Sequence, residues 1–296
     1  MEYIGIDIGG TNIRIGGINN KEELIFEYQE NTLENVITSE DLYLKIKKLI
    51  KMVPNYNDCK AIGIGAPGSV SKELGQVTIS RNLSILNNFP LVERLTQDFN
   101  KPIFLENDAV VAAFAEASKG KGKNKKIVCY ITISTGVGGS IIIDKNIYSG
   151  SNNLGIFFSR IILDGKNNSN SLISGKALLK QAHEKLDKNI KNASELFELE
   201  ETNNRIAKEI IKEFKNNLTT LLLNISAIIN PDIIILGGGV MKSKDKFLSE
   251  VIENFKNKAH PLAKDTIIET VQFKEPGIIG AALLAKNIYN SSERIK

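Results

Sequence analysis

The sequence predicts an α/β fold in which one supersecondary theme is used twice. Two apolar runs of strand length each end in a glycine-rich turn and are answered at once by a second apolar run. Residues 3–8, 9–12 and 13–18 form one such set, and residues 127–133, 134–139 and 140–143 form the other. Strand and helix patterns alternate through the rest of the chain, which marks the α/β class. A glycine–lysine segment, residues 119–126, separates the two sets and is the best candidate for a domain boundary. Two similar halves facing each other would make a cleft. The expected division is a smaller N-terminal domain of residues 1–118 with 279–296, and a larger C-terminal domain of residues 119–278.

Taken in order, residues 24–28 supply a third strand after the first pair. Leu42, Ile46, Leu49 and Ile50 then recur at helical spacing, and Pro54 stops that helix. Residues 61–65 read as a short buried strand running into the turn Ala66-Pro67-Gly68. After Pro102 comes a strand at 103–105, and Asn107-Asp108 open an alanine-rich helix that reaches about Ser118. The second set follows, and then an irregular polar stretch at 149–174. The longest helix spans 203–229, with Ile206, Ile210, Phe214, Leu218, Leu221, Leu222 and Ile225 on one face. It leads to a buried strand at 232–236 that stops at Gly237-Gly238-Gly239. Phe247, Val251 and Phe255 mark a further helix, residues 266–271 a strand, and residues 279–289 a closing helix.

Composition narrows the function classes. A chain of 296 residues that is 42% hydrophobic buries a substantial core, enough for two domains or one large one. The net charge of +4 arises from 38 basic and 34 acidic residues spread along the chain, an ordinary surface and not a nucleic-acid binder. Its one dense basic run, residues 119–126, carries no aromatic for base stacking and reads as a surface loop. Cys59 and Cys129 lie far apart, so neither a disulfide framework nor a thiolate zinc site is expected, and a reducing compartment fits. The first residues show no basic or apolar leader pattern, so a cytoplasmic location is expected. Residues 218–240 are the longest greasy stretch, but Asn224 and Asn230-Pro231-Asp232 interrupt it, so no membrane span is expected.

Asp7-Ile8-Gly9-Gly10-Thr11-Asn12 sets a carboxylate at a strand end, directly before a turn rich in backbone N–H groups. Phosphate oxygens need several such donors, and glycine lets the backbone approach them. Asp7 suits Mg²⁺, held directly or through water, while the Thr11 hydroxyl and Arg14 lie near enough to serve phosphate. A plain hairpin turn with Asp7 as an acceptor explains the same residues equally well. Ser134-Thr135-Gly136-Val137-Gly138-Gly139 is a second segment of this kind. A dinucleotide loop would need a helix after it, and a strand follows instead, which disfavours an oxidoreductase. Gly237-Gly238-Gly239 would let a flat adenine or ribose lie against bare backbone, or is a structural turn.

Asn107 or Asp108 is an N-cap on the bland reading. On the functional one, Asp108 faces a cleft to orient and deprotonate a hydroxyl, with the helix-end dipole favouring its ionised form and so weakening it as a base. Phosphoryl transfer tolerates that, since positioning matters more than base strength. Asn82, in Arg81-Asn82-Leu83, offers an amide that both donates to and accepts from sugar hydroxyls, as does Asn107. His183 and His260 have no cysteine nearby and read as surface residues.

Together these segments, with Gly63-Ile64-Gly65-Ala66-Pro67-Gly68 and Leu105-Glu106-Asn107-Asp108, resemble the ROK family of bacterial sugar kinases and repressors. Their order and spacing run through nearly the whole chain. The resemblance implies two ribonuclease-H-like domains of the actin and hexokinase type, a homodimer, and ATP and sugar held in a cleft. It implies Asp108 as catalytic base, Asn82 and Asn107 on sugar hydroxyls, and the Gly68 backbone close by. Asp7, Gly9, Gly10, Thr11, Thr135 and Gly136 would surround Mg²⁺ and the phosphates, with Asn12 and Arg14 in the same segment, and Gly238 and Gly239 would sit near the nucleotide. The family's repressors carry an N-terminal helix-turn-helix domain; none is expected, since the phosphate motif begins within the first few residues.

Departures from the family pattern are also informative. The family's glycine-glutamate-x-glycine-histidine segment, whose Glu and His bind sugar and whose His binds zinc, is here Gly155-Ile156-Phe157-Phe158-Ser159. Its cysteine-rich zinc loop is replaced by Asn167-Asn168-Ser169-Asn170-Ser171, and a later sugar-binding Glu falls at Asn170. No zinc is expected. Each lost hydroxyl contact is worth roughly 1–3 kcal/mol, which retunes a sugar pocket and leaves the phosphate loops untouched. The resemblance therefore implies transfer of the ATP γ-phosphoryl group to the 6-hydroxyl of a hexose or N-acetylhexosamine. N-acetylmannosamine, the substrate of zinc-lacking members in sialic-acid breakdown, leads; a glucokinase is one alternative, and a catalytically weak sugar- or nucleotide-sensing relic is another.

Overall fold

The structure, a computed structural model, describes residues 1–151 and 155–294. It forms two compact units. The first gathers Met1–Lys123 and the chain from Phe273 onward; the second gathers Asn124–Tyr148 and Gly155–Gln272.

In the first unit, β1 (Tyr3–Ile8), β2 (Asn12–Ile18) and β3 (Leu24–Asn31) make an antiparallel meander. The chain continues through α1 (Ser39–Met52) to β4 (Ala61–Ala66) and a small hairpin of β5 (Ser69–Ser71) and β6 (Gln76–Ile79). It then forms α2 (Leu91–Phe99), β7 (Ile103–Asn107) and α3 (Asp108–Ser118). The sheet order is β3-β2-β1-β4-β7, with β4 parallel to both β1 and β7. Because β4 is covered on both faces, every one of its residues is buried and its sequence does not alternate. Helix α1 starts at a reciprocal cap between Thr38 and Asp41 and buries Leu42, Ile46, Leu49 and Ile50, the residues whose spacing predicts it.

The second unit repeats the plan. Its meander is β8 (Ile127–Ile133), β9 (Val137–Ile143) and β10 (Asn146–Ile147), followed by α4 (Ser169–Ile173), α5 (Gly175–Lys185), α6 (Ala193–Glu201) and α7 (Arg205–Ile229). Then come β11 (Ile233–Gly237), a 3₁₀ segment (Gly239–Lys246), α8 (Leu248–Lys258) and β12 (Ile267–Thr270). The order β10-β9-β8-β11-β12, with β11 parallel to β8 and β12, matches the first sheet strand for strand. The apolar face of α7 covers this sheet, and Phe197, Phe214 and Phe247 close the core, with Phe197 and Phe247 stacked at 5.2 Å.

The chain returns to the first unit as α9 (Pro276–Glu293). This helix lies unusually close to its neighbours. A Cβ at Gly63 would sit 1.9 Å from the Ala281 carbonyl oxygen, and one at Gly280 would sit 1.8 Å from that of Val111. Alanine and glycine on α3 and α9 therefore serve backbone-to-backbone packing.

Several elements differ from expectation. Helix α2 and the β5–β6 hairpin are additional, and α4 lies in the stretch read as irregular, of which residues 152–154 fall outside the described residues. Strand β9 begins at Val137 because its glycines pair with β8 as far as Ile133. Helix α9 begins at Pro276, where proline suits a first turn whose N–H groups have no helical partner. Among the described residues, no helix is long and apolar enough to cross a membrane.

Candidate active site

Strands β1, β4 and β7 run parallel, so their C-terminal ends meet along one edge of the first sheet, where the register sets Asp7 beside Gly65 and Gly65 beside Glu106. Asn107 then ends β7 and caps α3: its Oδ1 accepts the N–H groups of Ala109 at 3.0 Å and Val110 at 3.3 Å. Its Nδ2 donates to the Gly68 carbonyl at 2.9 Å, so one amide ties the helix start to the turn after β4. Gly68 has φ +116°, and a Cβ there would lie 2.3 Å from the Ile79 carbonyl oxygen. Asp108 is the first residue of α3, and its Oδ1 accepts the Ala109 N–H at 2.8 Å.

Burial pushes the Asp108 carboxyl up to about 7, the nearby Asp7 charge adds to this, and the Ala109 N–H opposes it. This corrects the expectation that the helix-end dipole makes Asp108 a weaker base: desolvation outweighs the favourable backbone. Asp7 is likewise pushed up to about 6 by burial, and Arg14, with Nη1 at 3.4 Å, offsets this only in part. Arg14 is shared, since its Nε also lies 2.9 Å from both Glu275 and Gln29. At the start of α9, a Cβ on Gly277 would lie 2.5 Å from Asp7 Cγ, so the Asp7 carboxylate fits a recess that only glycine leaves.

The turn after β1 is pinned by Thr32, the residue that follows β3. Gly9 N–H donates to the Asn12 carbonyl at 2.9 Å, while Thr32 donates its hydroxyl to the Gly9 carbonyl at 2.6 Å and its N–H to that of Thr11 at 2.9 Å. The Gly10 and Thr11 amides have no acceptor among the described residues. Gly10 lies beside the backbone of Asn82, whose side chain is exposed.

In the second unit, Ser134 donates its N–H to the Gly136 carbonyl at 2.8 Å and accepts the Gly175 N–H, at the start of α5, at 2.7 Å. Asn170 Oδ1 accepts the Val137 N–H at 3.0 Å. The Thr135 and Gly136 amides have no acceptor among the described residues. Gly238, at φ +93°, lies against the Ile133 carbonyl, which a Cβ would approach to 2.4 Å, and Gly239 lies beside Ser134 Oγ. Two glycine segments a hundred residues apart in the chain are thus one local surface of this unit.

The ROK family model matches residues 3–158 and 165–288. The chain belongs to the ROK family. A ROK-type architecture of two actin/hexokinase-like ATPase domains accounts for the doubled strand order described above. Similar proteins include a glucokinase of Halalkalibacterium halodurans, 27% identical over 99% of this chain and 97% of its own length. An N-acetylmannosamine kinase of Vibrio cholerae is 31% identical over 81% of this chain and 84% of its own. A ROK family glucokinase from Streptomyces griseus, solved in complex with glucose and AMPPNP, shares the fold with a TM-score of 0.79 at 24% identity, over 96% of this chain and 99% of that one.

Of the residues singled out in this ROK chain, the first unit holds Asp7, Gly9, Gly10, Thr11, Asn12, Arg14, Gly68, Asn82, Asn107 and Asp108, and the second holds Thr135, Gly136, Gly238 and Gly239. At the positions of the family's Glu and His, Ile156 packs on the second core and Ser159 is half-buried, while Phe158 between them is buried. His183 Nε2 lies 2.7 Å from the Ile190 carbonyl, and His260 Nδ1 accepts the Leu262 N–H. Sequence reasoning missed Thr32, Glu275, Gly277 and the Lys72 contact to Glu106 at 2.7 Å. The Glu275-Pro276-Gly277 step, a proline-glycine helix start, was the one local signal.

Proposed function

We propose that this ROK-family sugar kinase transfers the γ-phosphoryl group of ATP to the 6-hydroxyl of a hexose or N-acetylhexosamine, with N-acetylmannosamine as the leading substrate. The observation that carries the reading is Asp108: a half-buried, desolvated carboxyl at a helix start, near neutrality, held by its own cap and with no ion-pair partner among the described residues. A base of that strength suits a hydroxyl at physiological pH. Asp108 takes the hydroxyl proton as the sugar oxygen bonds to the γ-phosphorus and the bond from that phosphorus to the β–γ bridging oxygen breaks, releasing ADP. Asn107 keeps one Nδ2 proton and Asn82 its whole amide for sugar hydroxyls.

The chain's residues fit Mg²⁺ and the triphosphate. Asp7 is a half-buried carboxylate whose desolvation Arg14 only partly offsets, and four turn amides have no acceptor among the described residues. Bound Mg²⁺ would neutralise charge on the phosphates. Asp7 would hold it, Gly10, Thr11, Thr135 and Gly136 would donate to phosphate oxygens, and Gly238 and Gly239 would flank the nucleotide. No zinc is proposed, since Ile156 and Ser159 stand where the family's ligand segment would be. The resemblance further supports a cytoplasmic homodimer.

Phosphorylation of N-acetylmannosamine rests on the missing zinc segment; the glucokinase relative supports glucose as the alternative. The second reading, a sensing relic, is favoured by Ile156 and Ser159, which stand where the resemblance sets the family's Glu and His. ADP release measured with a panel of hexoses and N-acetylhexosamines, for the native chain and Asp108→Asn, separates them. The kinase reading expects turnover on one sugar and a fall of about 10²–10⁴-fold in the variant. Nucleotide binding with no turnover on any sugar would establish the relic instead.

A further inference from the structure

Asn170 is an exposed residue on α4, and the ROK resemblance sets it where the family has a sugar-binding glutamate. Its side chain is committed elsewhere. The Oδ1 atom accepts the Val137 N–H at 3.0 Å, and it would lie 3.0 Å from a Cβ built on Gly136. It therefore rests on the glycine turn between β8 and β9. The rest of that turn is already fixed: the Ser134 N–H and carbonyl are both bonded, as is the Gly136 carbonyl. With Val137 held by Asn170, the two N–H groups left without an acceptor among the described residues are those of Thr135 and Gly136.

We infer that Asn170 is a positioning residue for the nucleotide phosphates: it fixes the Thr135 and Gly136 amides through Val137 and makes no contact with the sugar. The inference rests on the reading of this turn as phosphate-binding. An amide is chemically suited to the task. It gives the Val137 N–H a full acceptor without bringing a negative charge beside a polyanion, whereas a carboxylate at the same atom would repel it. Exposure means that no core packing depends on the residue, so its replacement tests the turn and not the fold.

The experiment uses the full chain, native and as Asn170→Ala and Asn170→Asp. Calorimetry gives the Kd for AMPPNP with Mg²⁺, and initial rates give KM for the sugar. Asn170→Ala is expected to raise the nucleotide Kd about three- to tenfold, the loss of one hydrogen bond. Asn170→Asp retains the acceptor and the melting temperature, and it raises Kd at least about tenfold at low salt, with part of the loss recovered as ionic strength rises. The sugar KM stays within about twofold in both. A changed sugar KM with unchanged nucleotide Kd overturns the inference in favour of a sugar contact. Unchanged Kd in both variants overturns it outright. Turnover by the native chain tests the kinase reading separately: nucleotide binding without turnover sinks that reading and leaves the Asn170 comparison intact, whereas no nucleotide binding by the native chain overturns both.

Discussion

Asp108 holds its proton more tightly in the folded chain than in the unfolded one, and this has consequences for stability and for rate. Below about pH 4 the carboxyl is protonated in both states. As pH rises, ionisation first favours the unfolded chain, and this effect stops growing only when the folded group ionises near 7. Native stability should therefore fall across that window. Asp108→Asn keeps an oxygen for the Ala109 N–H and removes the desolvated charge. It is expected to be more stable than the native chain at pH 8, by on the order of 2–4 kcal/mol, with the difference vanishing towards pH 4. Thermal melts at the two pH values check this, and a constant difference would show that the carboxyl is not held as described. The rate moves oppositely: kcat/KM should rise with pH through about 7, as the base form of Asp108 is populated. The identity of this residue was legible in the sequence, because a cap at a strand-to-helix step is a local pattern. Its ionisation was not, since desolvation is a tertiary effect and the charge of Asp7 comes from β1, far away in the chain.

At the scale of elements, the approach of α9 to the sheet decides where Asp7 points. The carboxylate fills the space that a side chain at position 277 would take, and Arg14 and Glu275 close the arrangement from β2 and from the residue before the helix. Gly277→Ala must displace either the carboxylate or the first turn of α9. The expected cost is about 1–3 kcal/mol of stability, the usual range for overpacking. Mg²⁺-dependent activity should fall more steeply than stability, which titration of activity against Mg²⁺ would reveal as a raised half-saturation point. An unchanged Mg²⁺ dependence would separate Asp7 from metal binding. Such contacts explain what the sequence concealed. Strands, glycine turns and α3 each carry their own periodicity, and the spacing of Leu42, Ile46, Leu49 and Ile50 was enough to predict α1. The β5–β6 hairpin is short and half polar, so periodicity is weak there, whereas α2 does carry Leu91, Leu95 and Phe99 at helical spacing, a signal its length of nine residues made easy to pass over. Gly277 against Asp7, and Asn170 against Val137, pair residues that no local pattern relates.

Over the whole molecule, the first unit is interrupted by an insertion as large as itself, and its two loose ends must be secured. Glu116 does this from the end of α3. Fully buried, it accepts the Lys121 N–H at 3.1 Å with Oε2 and the Phe273 N–H at 3.0 Å with Oε1. One carboxylate thus holds the segment leaving the first unit and the segment returning to it, the latter 157 positions beyond Glu116. Closing so long a loop is tolerable because its entropic cost grows only with the logarithm of length. The second unit, with its own core, forms the body of that loop. Glu116→Ala would remove the shared acceptor of two part-buried N–H groups, and it is expected to lower stability by about 1–3 kcal/mol. Glu116→Gln keeps one oxygen and turns an amide donor towards the other N–H, so it should lose roughly half as much. Urea unfolding with an unchanged slope and a lowered midpoint would register this as a change in stability alone. If both variants unfold at the native midpoint, Glu116 does not secure these ends, and the first unit must close through α9 packing on the sheet and α3.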